Sequence, residues 1–242
     1  MTSGKSVLII KAGSTLPAIA ARRGDFEDWI ITGMALEPEE VSIVDVTAGA
    51  SLPAQDACSA VVVTGSHGMV TDRTEWSERA AEWLAMAQND AVPVLGICYG
   101  HQLLARALGG EVADNPRGLE YGTVETALER AAVDDSLLRG LPIRLSVQTG
   151  HAQSVIRLPK GAVLLARSAK DPCHAFRYGD AAWGVQFHPE FDADIMREYL
   201  GHSRDTLVAA GLDVDALLNN VQSTDISAAI LQRFRRIAAG RS

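Results

Sequence analysis

The sequence predicts an α/β fold: a mostly parallel central sheet, helices on both faces, and a mixed or antiparallel extension. Three observations carry this. Apolar runs of strand length alternate with helical spacings through the first half of the chain. Strand-like runs divided by turn residues replace that alternation in the second half. Helical spacing returns after residue 200. Short buried strands alternating with helices indicate a parallel sheet covered on both faces.

Each element follows from its own pattern. Residues 7–10 form the first buried strand, and "KAGSTLP" the loop after it. Residues 25–34 are helical through Phe26, Trp29 and Ile30. Residues 41–46 alternate as a second strand, and 60–63 form a third, followed by "TGSHG". Trp76, Ala80, Trp83, Leu84 and Ala87 recur at helical spacing, with Asp72 and Glu75 read as the capping pair. "VPVLGI" (92–97) is a fourth strand, and 99–108 a helix that Gly109-Gly110 ends. Beyond it, "VADNPRGLEYGTVETAL", "IRLSVQTGHAQSVIRL", "AVLLARSA", "HAFRYGD" and "AAWGVQF" read as further strands of the same sheet. "RDTLVAAG", "VDALLNNV" and "DISAAILQRFRRIAAG" read as helices outside the core unit, with the Arg-rich end a solvated face. The expected organisation is one domain over 1–200 and a helical extension, 201–242, on or beside it.

Composition narrows the function. The 242 residues are 47% hydrophobic and 21% charged, as in an ordinary soluble globular chain. A net charge of −8 argues against nucleic acid as the partner. The apolar runs are too short to span a bilayer, and "MTSGKSVLII" lacks the apolar stretch and cleavage site of a signal peptide. Neither a membrane nor a nucleic-acid partner is expected. Three widely spaced cysteines (Cys58, Cys98, Cys173) with no CxxC fit a reducing cytoplasm without disulfides or a zinc site. No metal or organic cofactor is expected: His, Cys, Asp and Glu show no ligand spacing, and "TGSHG" is not a phosphate loop.

The chemistry centres on "GICYGHQ" (96–102). A strand ends at Gly96-Ile97, Cys98 follows, and a helix begins at Tyr99-Gly100. That is the form of a nucleophile elbow, with glycines allowing close approach on either side. It sets the sulfur at the carboxyl edge of the sheet and at a helix N-terminus, whose partial positive charge favours an anion. The Tyr99 backbone N–H points the same way, towards a developing oxyanion. Read alone, Cys98 is equally a small buried residue at a strand end. A nucleophilic thiol needs a base, because few free thiols are ionised at neutral pH. Among six histidines, His188 stands out in "WGVQFHPEF". Pro189 biases it towards an extended conformation, so Glu190, two residues on, shares its side. The pair then has base-plus-orienter form. Alone, it is also a surface His-Pro-Glu turn.

Together, "GICYGHQ" and "GVQFHPE" resemble the class I (triad-type) glutamine amidotransferases, over roughly residues 5–200. "VVVTGSHG" (61–68) is similar to the family's oxyanion loop, and "LGGEV" and "LEYG" to further family segments. The resemblance implies a flavodoxin-like architecture and glutamine as substrate. It implies thiol attack on the side-chain amide, release of ammonia, and hydrolysis of a γ-glutamyl thioester. Cys98 is then the nucleophile, His188 the base and later the acid, and Glu190 its orienter. Tyr99 and the Gly65-Ser66 loop would supply oxyanion donors. Gln102, Gly150 and His151 match residues that hold the substrate. Two departures stand out. Ser66 occupies a position that is commonly glycine. Gly150-His151-Ala152-Gln153 replaces the common Ser-His-Gly-Asp. His67 and His101 are expected to be rim or structural residues. The chain begins close to its first strand and carries no fused synthase, so a free-standing domain passing ammonia to a separate acceptor enzyme is expected. Two alternatives remain: a γ-glutamyl peptidase with the same triad, and a catalytically weak glutamine-binding regulatory subunit.

Overall fold

The computed structural model describes residues 5–240. The first four residues, part of the stretch read as lacking a signal peptide, lie outside the described residues, as do the last two. The first half is built from β1 (Ser6–Lys11), α1 (Pro17–Arg23), α2 (Phe26–Met34), β2 (Val41–Asp45), β3 (Cys58–Val63), α3 (Glu75–Asn89), β4 (Val94–Ile97) and α4 (Tyr99–Ala107). Then come β5 (Glu111–Asp114), β6 (Glu120–Leu128), β7 (Arg144–His151), β8 (Gln153–Arg157), β9 (Val163–Ser168), β10 (Ala175–Tyr178) and β11 (Ala182–Val185). Four helices close the chain: α5 (Ala193–His202), α6 (Arg204–Ala209), α7 (Val214–Asn219) and α8 (Asp225–Ala238).

A nine-stranded sheet runs in the order β2-β1-β3-β4-β11-β10-β9-β6-β7. β2, β1, β3, β4 and β11 are mutually parallel. The other four strands extend the sheet in antiparallel fashion. Successive side chains of a strand point to opposite faces. Val7 and Ile9 of β1 therefore join one core with Ile30 and Met34 of α2. Leu8 and Ile10 join the other, with Leu84 of α3 and Leu103 of α4. This two-faced burial is why β1 and β3 read as continuous apolar runs rather than alternating ones.

Four expectations need correction. Helix α1 follows the expected loop, from its last residue Pro17 onward, over a stretch where no element was expected; it is short, with little periodicity to betray it. Asp72 and Glu75 do not cap α3: Asp72 lies in a separate 3-10 turn, and Thr74 is the N-cap, with no side-chain bond. The capping box belongs to α2, where the Phe26 N–H donates to Asp25 Oδ1 and the Asp25 N–H to Asp28 Oδ2, each at 2.8 Å. Next, β5 and β8 leave the main sheet and pair with each other. The turn after α4, where the Gly110 N–H returns to the Ala105 carbonyl at 2.8 Å, lays β5 over that helix. Val112 and Val155 accordingly pack into the α3–α4 core. Finally, α8 is not outside the core. Ile230, Leu231 and Phe234 are fully buried in the α2-side cluster, and Phe234 meets Trp183 edge-on at 6.4 Å. Its arginines are tethered as well as solvated: Arg235 donates to Glu40 at 2.9 Å, and Arg233 to the carbonyl of Leu137 at 3.4 Å.

Candidate active site

Three neighbouring parallel strands deliver their carboxyl ends to one place. The register of β4 on β11 sets Ile97 opposite Val185. Cys98 then stands beside Gln186, with His188 just beyond. β3 pairs Val63 with Gly96, so the loop from Thr64 to Gly68 flanks the same point. Thr64 fixes the start of that loop by accepting from the Ala12 N–H at 3.0 Å and donating to the Gly65 carbonyl at 2.9 Å.

Cys98 is the N-cap of α4, with φ 51° and ψ −101°. A non-glycine residue at positive φ is uncommon and costs on the order of 1–3 kcal/mol. The glycines around it make the turn possible. A Cβ on Gly96 would overlap the Gly100 carbonyl, and one on Gly100 would overlap the Val63 carbonyl. The strand, the elbow and the helix thus touch backbone to backbone. Cys98 is 6% exposed, which leaves its sulfur covered but at the wall of a cavity.

His188 Nδ1 lies 2.7 Å from Glu190 Oε1. The backbone holds the ring in place, because the His188 N–H donates to the Gln148 carbonyl at 2.8 Å. Burial alone pushes this imidazole down. The Glu190 carboxylate and the Cys98 sulfur beside it outweigh that and raise its pKa to about 10. Phe191 stacks on the ring with centroids 4.1 Å apart and planes 20° from parallel. Phe26 lies at 6.1 Å and 17°. Gly65 is pressed against the same ring: a Cβ there would stand 2.9 Å from His188 Cε1.

The structure gathers Cys98, Tyr99, Ser66, Gln102, Gly150 and His151 around one cavity of about 90 Å³. A second cavity of about 50 Å³ adjoins it and contains His188. Ser66, His67, Cys98, Tyr121 and Gly150 line both. Ser66 is not among the residues with positive φ, and its Oγ accepts from the Gly68 N–H at 3.1 Å. The Tyr99 hydroxyl is engaged by Ser77 Oγ at 2.7 Å. His101 is fully buried on Phe176, outside both cavities, and burial pushes its pKa down to about 3.

Two features escaped the sequence reading. Gln102 donates to the Gln153 carbonyl at 2.8 Å and to Gln186 Oε1 at 2.9 Å. Gln186 in turn points its Nε2 at Cys98 Sγ, 3.5 Å away. The Gln102 amide is therefore committed to holding its neighbours. Gln186 sits inside the quoted "GVQFHPE", so a signal was present. The second feature is a buried polar cluster beneath His151. Its Nε2 lies 3.2 Å from Glu120 Oε2, and its Nδ1 lies 2.9 Å from the Gln153 carbonyl. His174 Nε2 is 3.5 Å from the same Glu120 oxygen, and Ser168 Oγ donates to Glu120 Oε1 at 2.7 Å. Ligand-type atoms of Glu120, His151 and His174 all fall within 4.8 Å of one another. They come from β6, β7 and the turn before β10, so no linear spacing announces them. Asp171 also joins, and its burial raises its carboxyl pKa.

A thiol at a strained strand-to-helix elbow, a histidine paired with a carboxylate, and a walled cavity thus stand together at the carboxyl edge of an α/β sheet. Comparisons with known proteins name the family. The family model described as Glutamine amidotransferase class-I matches residues 25–201, and the chain belongs to that family. The GMP synthase [glutamine-hydrolyzing] of Aeropyrum pernix is 37% identical over 185 residues, 76% of this chain and 32% of that protein. Gamma-glutamyl peptidase 5 of Arabidopsis thaliana is 31% identical over 147 residues, 60% of this chain and 59% of that one. The chain thus spans between a third and three-fifths of the length of these relatives. The crystal structure of a glutamine amidotransferase from Thermotoga maritima superposes with a TM-score of 0.77 at 22% identity, covering 97% of this chain and 98% of that one. Among the described residues, no helix is long and apolar enough to cross a membrane.

Proposed function

We propose that the chain hydrolyses the side-chain amide of glutamine through a γ-glutamyl thioester on Cys98. The observation that carries this is the elbow itself: Cys98 at φ 51°, beside a His188 held by Glu190 at 2.7 Å. Cys98 attacks the amide carbon as thiolate, and His188 holds the proton as imidazolium. The tetrahedral oxyanion forms near the Tyr99 N–H and the Gly65-Ser66 loop, the proposed donors. His188 then gives its proton to the leaving nitrogen, and ammonia departs. In the second half His188 takes a proton from water, which attacks the thioester and restores the thiolate. Glu190 keeps the His188 ring in register. Gly150 and His151 bound the glutamate side of the cavity, with Gln102 positioning Gln186 beside the sulfur.

The ammonia would pass to a separate acceptor synthase, a reading supported by the fraction of the Aeropyrum pernix GMP synthase that the chain matches. A γ-glutamyl amide other than glutamine is the second reading, supported by the peptidase relative. Residues 1–200 would carry the chemistry, with 201–242 completing the same folding unit through α8. We assign the chain to the cytoplasm, where its three free buried cysteines stay reduced. The test is glutamate release by the purified protein, with glutamine and a γ-glutamyl dipeptide in parallel and Cys98→Ala as control. Release from glutamine that disappears in Cys98→Ala supports the assignment. Release that persists in that variant refutes it.

A further inference from the structure

The two cavities that meet at Cys98 differ in chemistry. The 90 Å³ cavity is lined by Gln102, His151 and Gln153 and suits the polar glutamyl moiety. The 50 Å³ cavity holds His188 and His67, with the rings of Phe26, Phe191 and Tyr199 and the Met196 side chain around them and the uncharged hydroxyls of Ser66 and Ser203 at its wall. In the thioester mechanism the base becomes the acid that protonates the departing nitrogen, so the leaving amine must lie on the His188 side. The smaller cavity is therefore the leaving-group side. Ammonia is about the size of a water molecule, which needs roughly 10–15 Å³ of such space. A 50 Å³ cavity exceeds that several-fold.

Its lining also restricts what the extra room can take. No lysine, arginine, aspartate or glutamate lines it among the described residues. A departing amino acid would bring its carboxylate against a His188 already paired with Glu190 at 2.7 Å and a His67 whose burial pushes it towards the neutral form, so no free cation meets it. A departing polyamine would bring a second ammonium without a carboxylate. Burying either charge unpaired is costly. Phe26, Phe191 and Met196 are almost wholly buried, at 2%, 4% and 1% exposure, and give apolar contact instead. The Tyr199 hydroxyl is occupied by Thr15 at 2.6 Å, which leaves its ring as the surface offered.

We infer that this lobe is a leaving-amine subsite for γ-glutamyl amides of small, uncharged, apolar amines. The inference rests on Cys98 acting as nucleophile, as proposed above. The reaction balances as for glutamine. The Cys98 sulfur bonds to the γ-carbonyl carbon, the C–N bond breaks, and the His188 proton goes to the nitrogen. The free amine leaves; water then cleaves the thioester to glutamate.

The experiment compares kcat/KM for glutamine, γ-glutamyl-isobutylamide, γ-glutamyl-benzylamide and γ-glutamylglycine, in wild type, Cys98→Ala and Met196→Ala. The expected result is Cys98-dependent cleavage of the isobutylamide, at least about tenfold better than γ-glutamylglycine. Met196→Ala enlarges the lobe and should raise the benzylamide-to-glutamine ratio about tenfold, the scale of a hydrophobic pocket contact. Cys98-dependent cleavage of glutamine with none of the isobutylamide overturns the subsite and leaves the glutaminase standing. Preference for γ-glutamylglycine also overturns it. Loss of cleavage for every substrate overturns the catalytic reading and the subsite together. Should Met196→Ala fail to fold, the wild-type ranking decides alone.

Discussion

His188 and His101 are both buried histidines near the carboxyl ends of the central strands, yet their environments drive them in opposite directions. His101 faces Phe176 at 5.1 Å, and burial lowers its pKa to about 3. His188 is buried as deeply, but Glu190 and Cys98 hold it protonated and raise it to about 10. Burial by itself favours the neutral ring; an adjoining anion reverses that. The pair teaches that the apolar shell around His188 is no obstacle to charge. The shell concentrates the effect of one carboxylate, and Phe26 and Phe191 keep the ring from turning out of it.

The largest expected effect comes from removing the charged histidine. His188→Ala should lower glutamine turnover by roughly four to six orders of magnitude, since triad members act as one unit. His101→Gln, if it folds, should stay within about tenfold of wild type, because that ring lies outside both cavities. Steady-state glutamate release reads both, and comparable losses in the two variants would erase the distinction. Glu190→Gln should cost about 10²–10⁴-fold, less than Cys98→Ala, because the nucleophile survives while ring orientation and charge stabilisation weaken. The reverse order in the same assay would remove Glu190 from its orienting place.

Stability against pH sharpens the comparison. His188 has a folded pKa above its unfolded value of about 6.5. Its contribution is fully present below that pH and is lost as pH rises towards 10. His101 and His174 have folded values near 3, so the unfolded chain binds their protons first. Stability should therefore fall as pH drops from about 6.5 towards 3. Each group contributes up to about 1.4 kcal/mol per pH unit within its window. Urea unfolding at several pH values should show both limbs. Glu190→Gln should flatten the alkaline limb and His101→Gln the acid one; a Glu190→Gln curve that keeps the full alkaline limb would contradict the charge assignment. A milder effect than at either triad partner of Cys98 is expected at Phe191→Leu, which keeps the apolar cover but loses the stacked face. A roughly tenfold drop in kcat with little change in KM is expected, as for a residue that positions the base. A change confined to KM would give Phe191 a purely substrate-binding place.

The parallel half of the fold was legible because buried strands and amphipathic helices each leave a period in the sequence. The elbow was legible because Gly96 and Gly100 mark backbone contacts that no side chain tolerates. What sequence could not supply was contact between distant elements. The Glu120–His151–His174 cluster joins β6, β7 and a turn, and Phe26 and Met196 reach the site from α2 and α5. The amphipathic pattern of α8 identified a helix but not the sheet face it covers, so Phe234 was read outside the core that it helps to fill.

The most direct test of the central claim is intact-protein mass spectrometry after rapid acid quench during glutamine turnover, followed by peptide mapping. A γ-glutamyl adduct is predicted on Cys98, and none on Cys58 or Cys173, both buried free thiols outside the two cavities. An adduct on either of those cysteines, or turnover that proceeds in Cys98→Ala, would contradict the account.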